Sequence, residues 1–164
     1  MNFDKHLVDK ITALEERIAD LERLGTVRTR WQSYTVAWTA STTNPAIVDG
    51  TLLGYYQRMG KSTRAIITMI AGASTTFGSG NWAFSLPFTT YASVPNVNLY
   101  WLGLFTIRDA SPVAYYNGVA RINRNQTVLN TFFITAGGAT LTATAPITWA
   151  ASDQLFIDIS YEVA

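Results

Sequence analysis

The chain of 164 residues has no cysteine and one histidine, and these absences exclude several classes of site. Without cysteine there are no disulfides and no thiolate metal ligands. A Ser-His-Asp site would have to use His6, and a cluster of histidine ligands around a metal cannot form within one chain. From the sequence we therefore expect no metal and no cofactor.

Long apolar runs are also missing. The longest extends from Ala65 to Ala73, well short of the roughly 20 residues with which a helix crosses a bilayer. The first residues are acidic and amphipathic, whereas a secretory signal has a basic start and an apolar segment. These patterns predict a soluble protein that is made without a targeting peptide and has no membrane partner.

Charged residues are scarce after Trp31. Residues 1–30 hold six of the twelve Lys and Arg and six of the eleven Asp and Glu. The charged fraction of residues 31–164 is therefore far below the roughly 25% of an ordinary domain. Such a surface exposes neutral and apolar area that association between subunits would bury. We therefore expect residues 31–164 to be oligomeric, and the net charge of +1 gives no general attraction to nucleic acid.

Residues 7–25, LVDKITALEERIADLERLG, are predicted to form a helix with one apolar stripe. Its apolar residues follow the alternating spacing of the a and d positions of a coiled coil: Leu7, Ile11, Leu14, Ile18 and Leu21. The alternative interpretation is an amphipathic helix that lies on its own β domain. The charges beside the stripe favour the coiled coil.

These charges would meet across a parallel, in-register bundle. Lys10 would face Glu15 of a neighbouring chain, and Arg17 would face Glu22. Each pair contributes about 0.3 to 0.5 kcal/mol, so the pairs select partner and direction more than they hold the helices together. Ile at a with Leu at d favours a dimer, whereas RIADLE at residues 17–22 matches a pattern of short trimeric coiled coils. We expect a homotrimer.

This pattern divides the chain into three predicted segments. Residues 1–25 are predicted to be an attachment segment and coiled-coil stalk that ends at Gly25, residues 26–30 a polar linker, and residues 31–164 a β domain. A stalk of about three turns is too short to be stable alone. We therefore expect the segments that follow it to contribute to association.

After Trp31, runs of β-branched and aromatic residues alternate with turn-forming residues. The predicted strands are 31–39, 50–58, 63–71, 81–87, 99–108, 113–121, 127–135, 139–143 and 154–163. In the last strand, apolar residues at every second position from Leu155 to Val163 predict one buried face. Others, such as YWLGLF at 100–105, are apolar on both faces and fit a position between a partner sheet and a neighbouring subunit. This spacing predicts a mainly β fold, a jelly-roll-like β-sandwich.

Two stretches resemble a known family: WTASTTNPAIVDGTLLGYYQRMGK at 38–61 and GASTTFGSGNWAFSLP at 72–87. They resemble a module in structural proteins of tailed phages that infect actinobacteria, namely minor tail, fibre or head-decoration components. The resemblance covers about the first half of the β domain, through its Asn-Pro, Gly-Thr-Leu, Gly-Lys and Trp-x-Phe-Ser-Leu-Pro elements. It implies a trimeric virion protein without catalytic residues.

Such modules often end much longer chains, whereas only a 30-residue stalk precedes this one. We therefore expect a capsid decoration or head-fibre protein that binds the major capsid protein or another virion protein and is assembled in the host cytoplasm. The predicted attachment residues are Met1, Asn2, Phe3, Asp4, Lys5 and His6. The alternative is a tail-fibre-type module that recognises a host surface glycan through loops distant from the stalk.

Motifs that could carry chemistry fit structural roles better. GKST at 60–63 resembles the end of a P-loop, but Gly54 leaves five intervening residues where the motif has four, and a strand follows instead of a helix. We predict a hairpin turn at Met59–Gly60, with Lys61 solvated beside it.

Acidic residues do not form an evident catalytic pair. Asp158 and Glu162 share a strand face about 13 Å apart, beyond the roughly 5 to 10 Å of a glycosidase pair. The sequence places Asp49, Asp109 and Asp153 in turns, where Asp usually stabilises the turn. We expect no enzyme, with a glycan hydrolase whose site lies between subunits as a further hypothesis.

Basic residues occur near two predicted turns. Arg58, Lys61 and Arg64 surround one, and Arg121 and Arg124 flank the other. Basic loops with nearby tyrosines can bind nucleic acid or acidic glycans. Dispersed cations offset by acids more often form a solvated rim, so we expect no nucleic-acid partner.

Overall fold

The computed structural model describes residues 3–28, 30–92, 100–133 and 140–163. The chain divides into two compact units, Met1–Arg30 and Trp31–Ala164. The first contains one α-helix and the second contains antiparallel sheets. This confirms the expectation of a mainly β chain with a short helix at its N-terminus.

The helix α1 spans Phe3–Arg28 and is 26 residues long. It starts four residues before the predicted helix and continues through Gly25 to Arg28, so the prediction that Gly25 ends the helix is wrong. Of the predicted linker 26–30, residues 26–28 are helical and residue 29 lies outside the described part. Glycine inside a helix costs about 1 kcal/mol relative to alanine, which weakens a helix without ending it. No helix in the described part of the chain is long and apolar enough to cross a membrane.

Ten strands are present in the described part of the second unit. They are β1 (Gln32–Tyr34), β2 (Trp38–Ala40), β3 (Thr51–Met59), β4 (Ser62–Ile70), β5 (Trp82–Ser85), β6 (Tyr100–Asp109), β7 (Ala114–Asn123), β8 (Val128–Leu129), β9 (Thr131–Phe133) and β10 (Gln154–Glu162). Seven of them form one sheet in the order β1-β3-β4-β10-β6-β7-β9, and three form another in the order β2-β5-β8. The jelly-roll connectivity stays a prediction.

Local hairpins and one distant strand build the larger sheet. β3 and β4 pair along their whole length around a turn at Gly60, whose φ of 60° is easy for glycine. β6 and β7 form a second hairpin. The C-terminal strand β10 lies between the two hairpins and pairs with β4 on one side and β6 on the other. This one strand makes the two hairpins a single sheet.

The core lies against one face of the larger sheet. The alternation in β10 is confirmed, because Leu155, Ile157, Ile159, Tyr161 and Val163 are all buried. They join one apolar cluster with residues of the three-stranded sheet. Aromatic rings dominate its centre, including Trp38, Trp82, Phe84, Phe132 and Trp149.

Three strand predictions need correction. The predicted strand 31–39 is broken at residues 35–37, and its halves β1 and β2 belong to different sheets. The predicted strand 127–135 is divided in the same way into β8 and β9, with residues 134 and 135 outside the described part. Bent segments of this kind switch between the sheets of a sandwich, and alternation alone does not reveal the bend.

The predicted strand 139–143 is replaced, over its described residues, by one isolated bridge between Thr142 and Ala145. The chain turns at residues 143–144, which limits the pairing to this bridge. Leu141 is nevertheless fully buried, and its carbonyl accepts a hydrogen bond from Trp82 N at 3.0 Å. The segment therefore contributes to the core without being a strand.

Candidate subunit interfaces

The apolar stripe of α1 is not buried within its own unit, Met1–Arg30. All five predicted a and d side chains, Leu7, Ile11, Leu14, Ile18 and Leu21, are between 47% and 66% exposed. An amphipathic helix gains most of its stability by burying its apolar stripe against another element. The stripe is therefore a surface available for a partner.

The stripe has a feature that the heptad pattern missed. Val8 is also exposed, at 59%, and widens the stripe at the N-terminal end. Further along the helix, Lys10, Ala13, Leu14 and Arg17 line a shallow hollow. In the predicted register Lys10 and Arg17 are at g and Ala13 is at c, so this hollow lies beside the a/d stripe.

The predicted attachment segment is partly outside the described residues. Met1 and Asn2 are not described, and Phe3–His6 form the first turn of α1 instead of preceding it. Lys5 and His6 are exposed. Their role in attachment stays a prediction.

The outer face of the seven-stranded sheet is a second apolar surface. Its central row follows the strand register from Tyr55 to Ile66, Asp158, Leu104 and Val119. Neighbouring rows add further exposed apolar side chains: Leu53, Tyr100, Leu102, Tyr115 and Phe156. We call this surface, from β3 across β4, β10 and β6 to β7, the outer face.

Polar groups interrupt the apolar character of the outer face. Thr106 Oγ1 donates a hydrogen bond to Asn117 Oδ1 at 2.8 Å, and an ion pair lies near the centre. Arg64 Nε donates a hydrogen bond to Asp158 Oδ1 at 2.9 Å, and a second guanidinium nitrogen pairs with Oδ2. This pairing raises the pKa of Arg64 above its ordinary value, so the charge is retained at all ordinary pH values. The guanidinium also lies 5.7 Å from the ring centre of Trp31, the first residue of the β unit.

The loops at the end of the larger sheet opposite the β3–β4 turn are joined by two carboxylates. Asp49 accepts hydrogen bonds from Ser74 N at 2.9 and 3.1 Å. The buried Asp153 accepts one from Ala110 N at 2.8 Å and one from Ala150 N at 2.7 Å. Both predictions of a turn-stabilising Asp are confirmed, as is that for Asp109, which accepts from Ser111 N at 3.0 Å.

Neither chemical motif assembles a reactive site in the described residues. The GKST segment forms a hairpin turn and continues into β4, but the turn residues are Gly60 and Lys61, one position later than the predicted Met59–Gly60. Asp158 is engaged by Arg64, as described above. Among the described residues, no three His, Asp or Glu side chains come close enough together to hold a metal ion.

The basic residues near the β3–β4 turn lie against aromatic rings. Arg58 is 5.1 Å from the ring centre of Phe88, and Lys61 is 5.0 Å from that of Tyr91. Near the other predicted turn, Arg121 lies 4.7 Å from the ring centre of Tyr100. These contacts hold the cations along the sheet instead of collecting them in one basic patch.

The sequence is similar to that of a curated phage protein. It is 29% identical over 130 residues to the Mu-like prophage FluMu defective tail fiber protein of Haemophilus influenzae. The match covers 79% of this chain and 20% of that protein, so the chain corresponds to about a fifth of the length of its relative. No family model and no solved structure matches the chain.

Proposed function

We propose that this chain is a non-enzymatic structural component of a phage virion that assembles as a homotrimer through α1. The observation that carries the proposal is the exposed stripe of α1, flanked by charges that would be attractive in a parallel bundle. The likeness to a prophage tail fiber protein supports the virion role. Its partners are two further copies of itself and one other virion protein.

The proposal includes two alternative locations in the virion, the capsid and the tail. The resemblance of residues 38–87 to structural modules of actinobacterial phages includes head-decoration proteins, and it favours a trimer on the capsid that is bound through Met1–His6 and the stalk. The name of the Haemophilus relative favours the tail. A trimeric tail-fibre module would present the loops braced by Asp49 and Asp153 to a host surface glycan, where three copies add avidity.

Light scattering of the purified full chain tests the assembly. We expect a mass three times the 18.1 kDa of one chain at micromolar concentration. Ile18→Lys should shift the protein toward smaller species, because it places three lysines in one layer of the bundle. The matched control is Ala19→Lys, which adds the same charge at the neighbouring b position and should keep the trimer. A monomeric mass at every concentration would contradict the proposal.

Gold-labelled antibody against the chain, imaged on whole virions, tests the position. Label on capsids supports decoration, and label on tails supports the fibre form. Virions without label would remove the structural role altogether. Binding of the purified trimer to host cells, lost when the cell-surface glycan is stripped, is expected from the fibre form alone.

A further inference from the structure

We infer that the outer face of the seven-stranded sheet is a second interface between copies of this chain, separate from the stripe of α1. The inference rests on the self-association proposed above and identifies the surface through which the β units pack. Its residues lie on the opposite side of the same strands that form the core. β6 shows this most clearly, because Phe105 and Ile107 are buried while Leu102 and Leu104 are 64% and 68% exposed.

The size of the face suits a stable contact. Five strands at about 4.8 Å spacing and nine residues at about 3.3 Å rise give an area of roughly 700 Å². Stable interfaces bury about 800 Å² on each partner. The outer face is therefore as large as one side of an ordinary subunit interface.

Charge indicates a second copy as the occupant. The central pair, Arg64 and Asp158, neutralises itself on the face. The other charged side chains, Arg108, Arg121 and Glu162, lie toward its margins in the strand register. A face whose central charges cancel and whose other charges lie at its margins is not repelled by an identical face. A partner of opposite charge has nothing to recognise at its centre.

Association through α1 would raise the local concentration of the outer faces. Each chain carries one helix and one β unit, so the proposed bundle of helices tethers the β units of the copies to one another. Short linkage gives effective concentrations in the millimolar range, so even a modest affinity between the faces leads to association.

Single cysteines test the inference, because the natural chain has none. Leu104→Cys places a thiol on the outer face, and Leu102→Cys provides a second probe on the same strand. The control is Val48→Cys in the loop before β3, since Val48 and Leu104 are both 68% exposed in the single chain. Each full-length variant is labelled with a maleimide under native conditions and again in urea, and its mass is checked by light scattering.

We expect both face probes to react at least about tenfold more slowly than the Val48→Cys control in the native oligomer, and all three to react alike in urea. A trimeric mass with equally fast labelling at all three positions would overturn the second interface while leaving the proposed trimer intact. A monomeric mass with fast labelling would overturn both. Protection that appears only after another virion protein is added would assign the face to that protein and overturn the inference.

Discussion

Every described side chain of α1 from Lys5 to Glu22 is exposed, whereas 22 of the described residues of the β unit are buried in one cluster. The difference has a simple physical basis. A lone helix has no interior, so its apolar stripe gains free energy only when a second surface covers it. The β unit has two layers and buries its own apolar groups. The proposed assembly would therefore stabilise the helix more than the core of the β unit.

The same contrast occurs within the β unit. One face of the larger sheet meets the three-stranded sheet, and the other meets solvent in the single chain. Both carry large apolar side chains, as Phe105 and Leu104 show on successive positions of β6. The apolar residues of this sheet are thus divided into those buried in the core and those exposed on the outer face, which the inferred second interface would cover.

Among the tests of this contrast between buried and exposed apolar residues, the largest effect is expected for Trp82→Ala. Trp82 is fully buried and contacts the rings of Trp38, Phe84 and Trp149, so its removal leaves a large cavity. We expect the free energy of unfolding of the β unit to fall by about 3 to 5 kcal/mol, measured by urea titration with near-ultraviolet circular dichroism.

Trp31→Ala is the matched control for this experiment, because Trp31 is 39% exposed and packs mainly over Arg64. It should cost less than about 1 kcal/mol. Equal losses for the two tryptophans would contradict the division into buried core and exposed face.

A second test measures stability at alkaline pH. Ionisation of tyrosine should lower the stability of the β unit alone. Burial raises the pKa of Tyr34 and of Tyr161 well above the ordinary value near 10. The folded state keeps both phenol protons while the unfolded chain loses them, so this contribution to stability is complete below about pH 10 and declines as the pH rises further.

Urea midpoints measured from pH 8 to pH 11.5 should therefore stay level and then fall. In the double variant Tyr34→Phe, Tyr161→Phe, the decline above pH 10 should be clearly smaller, whatever the midpoint at pH 8. α1 has no tyrosine, so its helical signal supplies the internal comparison. An unchanged slope in the double variant would show that other groups cause the decline.

The smallest effect is expected for Gly25→Ala. Because α1 continues past Gly25 to Arg28, alanine should stabilise the helix by about 1 kcal/mol. The helical circular dichroism signal at 222 nm should then be larger at each temperature of a thermal unfolding experiment. If Gly25 instead ended the helix in a left-handed conformation, the same change would destabilise it. Ala19→Gly, which should cost a similar amount, is the reverse control.

Local patterns in the sequence predicted those parts of the fold that depend on neighbouring residues. The alternation from Leu155 to Val163, the turn at Gly60 and the turn-stabilising Asp49, Asp109 and Asp153 all belong to this class. Each depends on side-chain period or on a short-range hydrogen bond, which a single segment contains. Heptad spacing likewise predicted which helical residues share the stripe.

Pairings between distant segments were not predictable in the same way. The bond between Arg64 and Asp158 joins residues 94 positions apart, and it exists because β10 lies beside β4. The bends that send β2 and β8 into the smaller sheet also depend on where the partner strands lie. An apolar residue in a strand indicates that its side chain is more stable when buried. It does not indicate which layer of the protein covers that side chain.

The sequence by itself determined that a charged helix precedes a charge-poor segment of strands, and it located most of those strands, because local periodicity and composition suffice for this. Only the tertiary structure decided which apolar residues became core and which became the outer face. Inserting β10 between β4 and β6 set the register of the whole sheet, and register determines the side of the sheet on which every side chain lies.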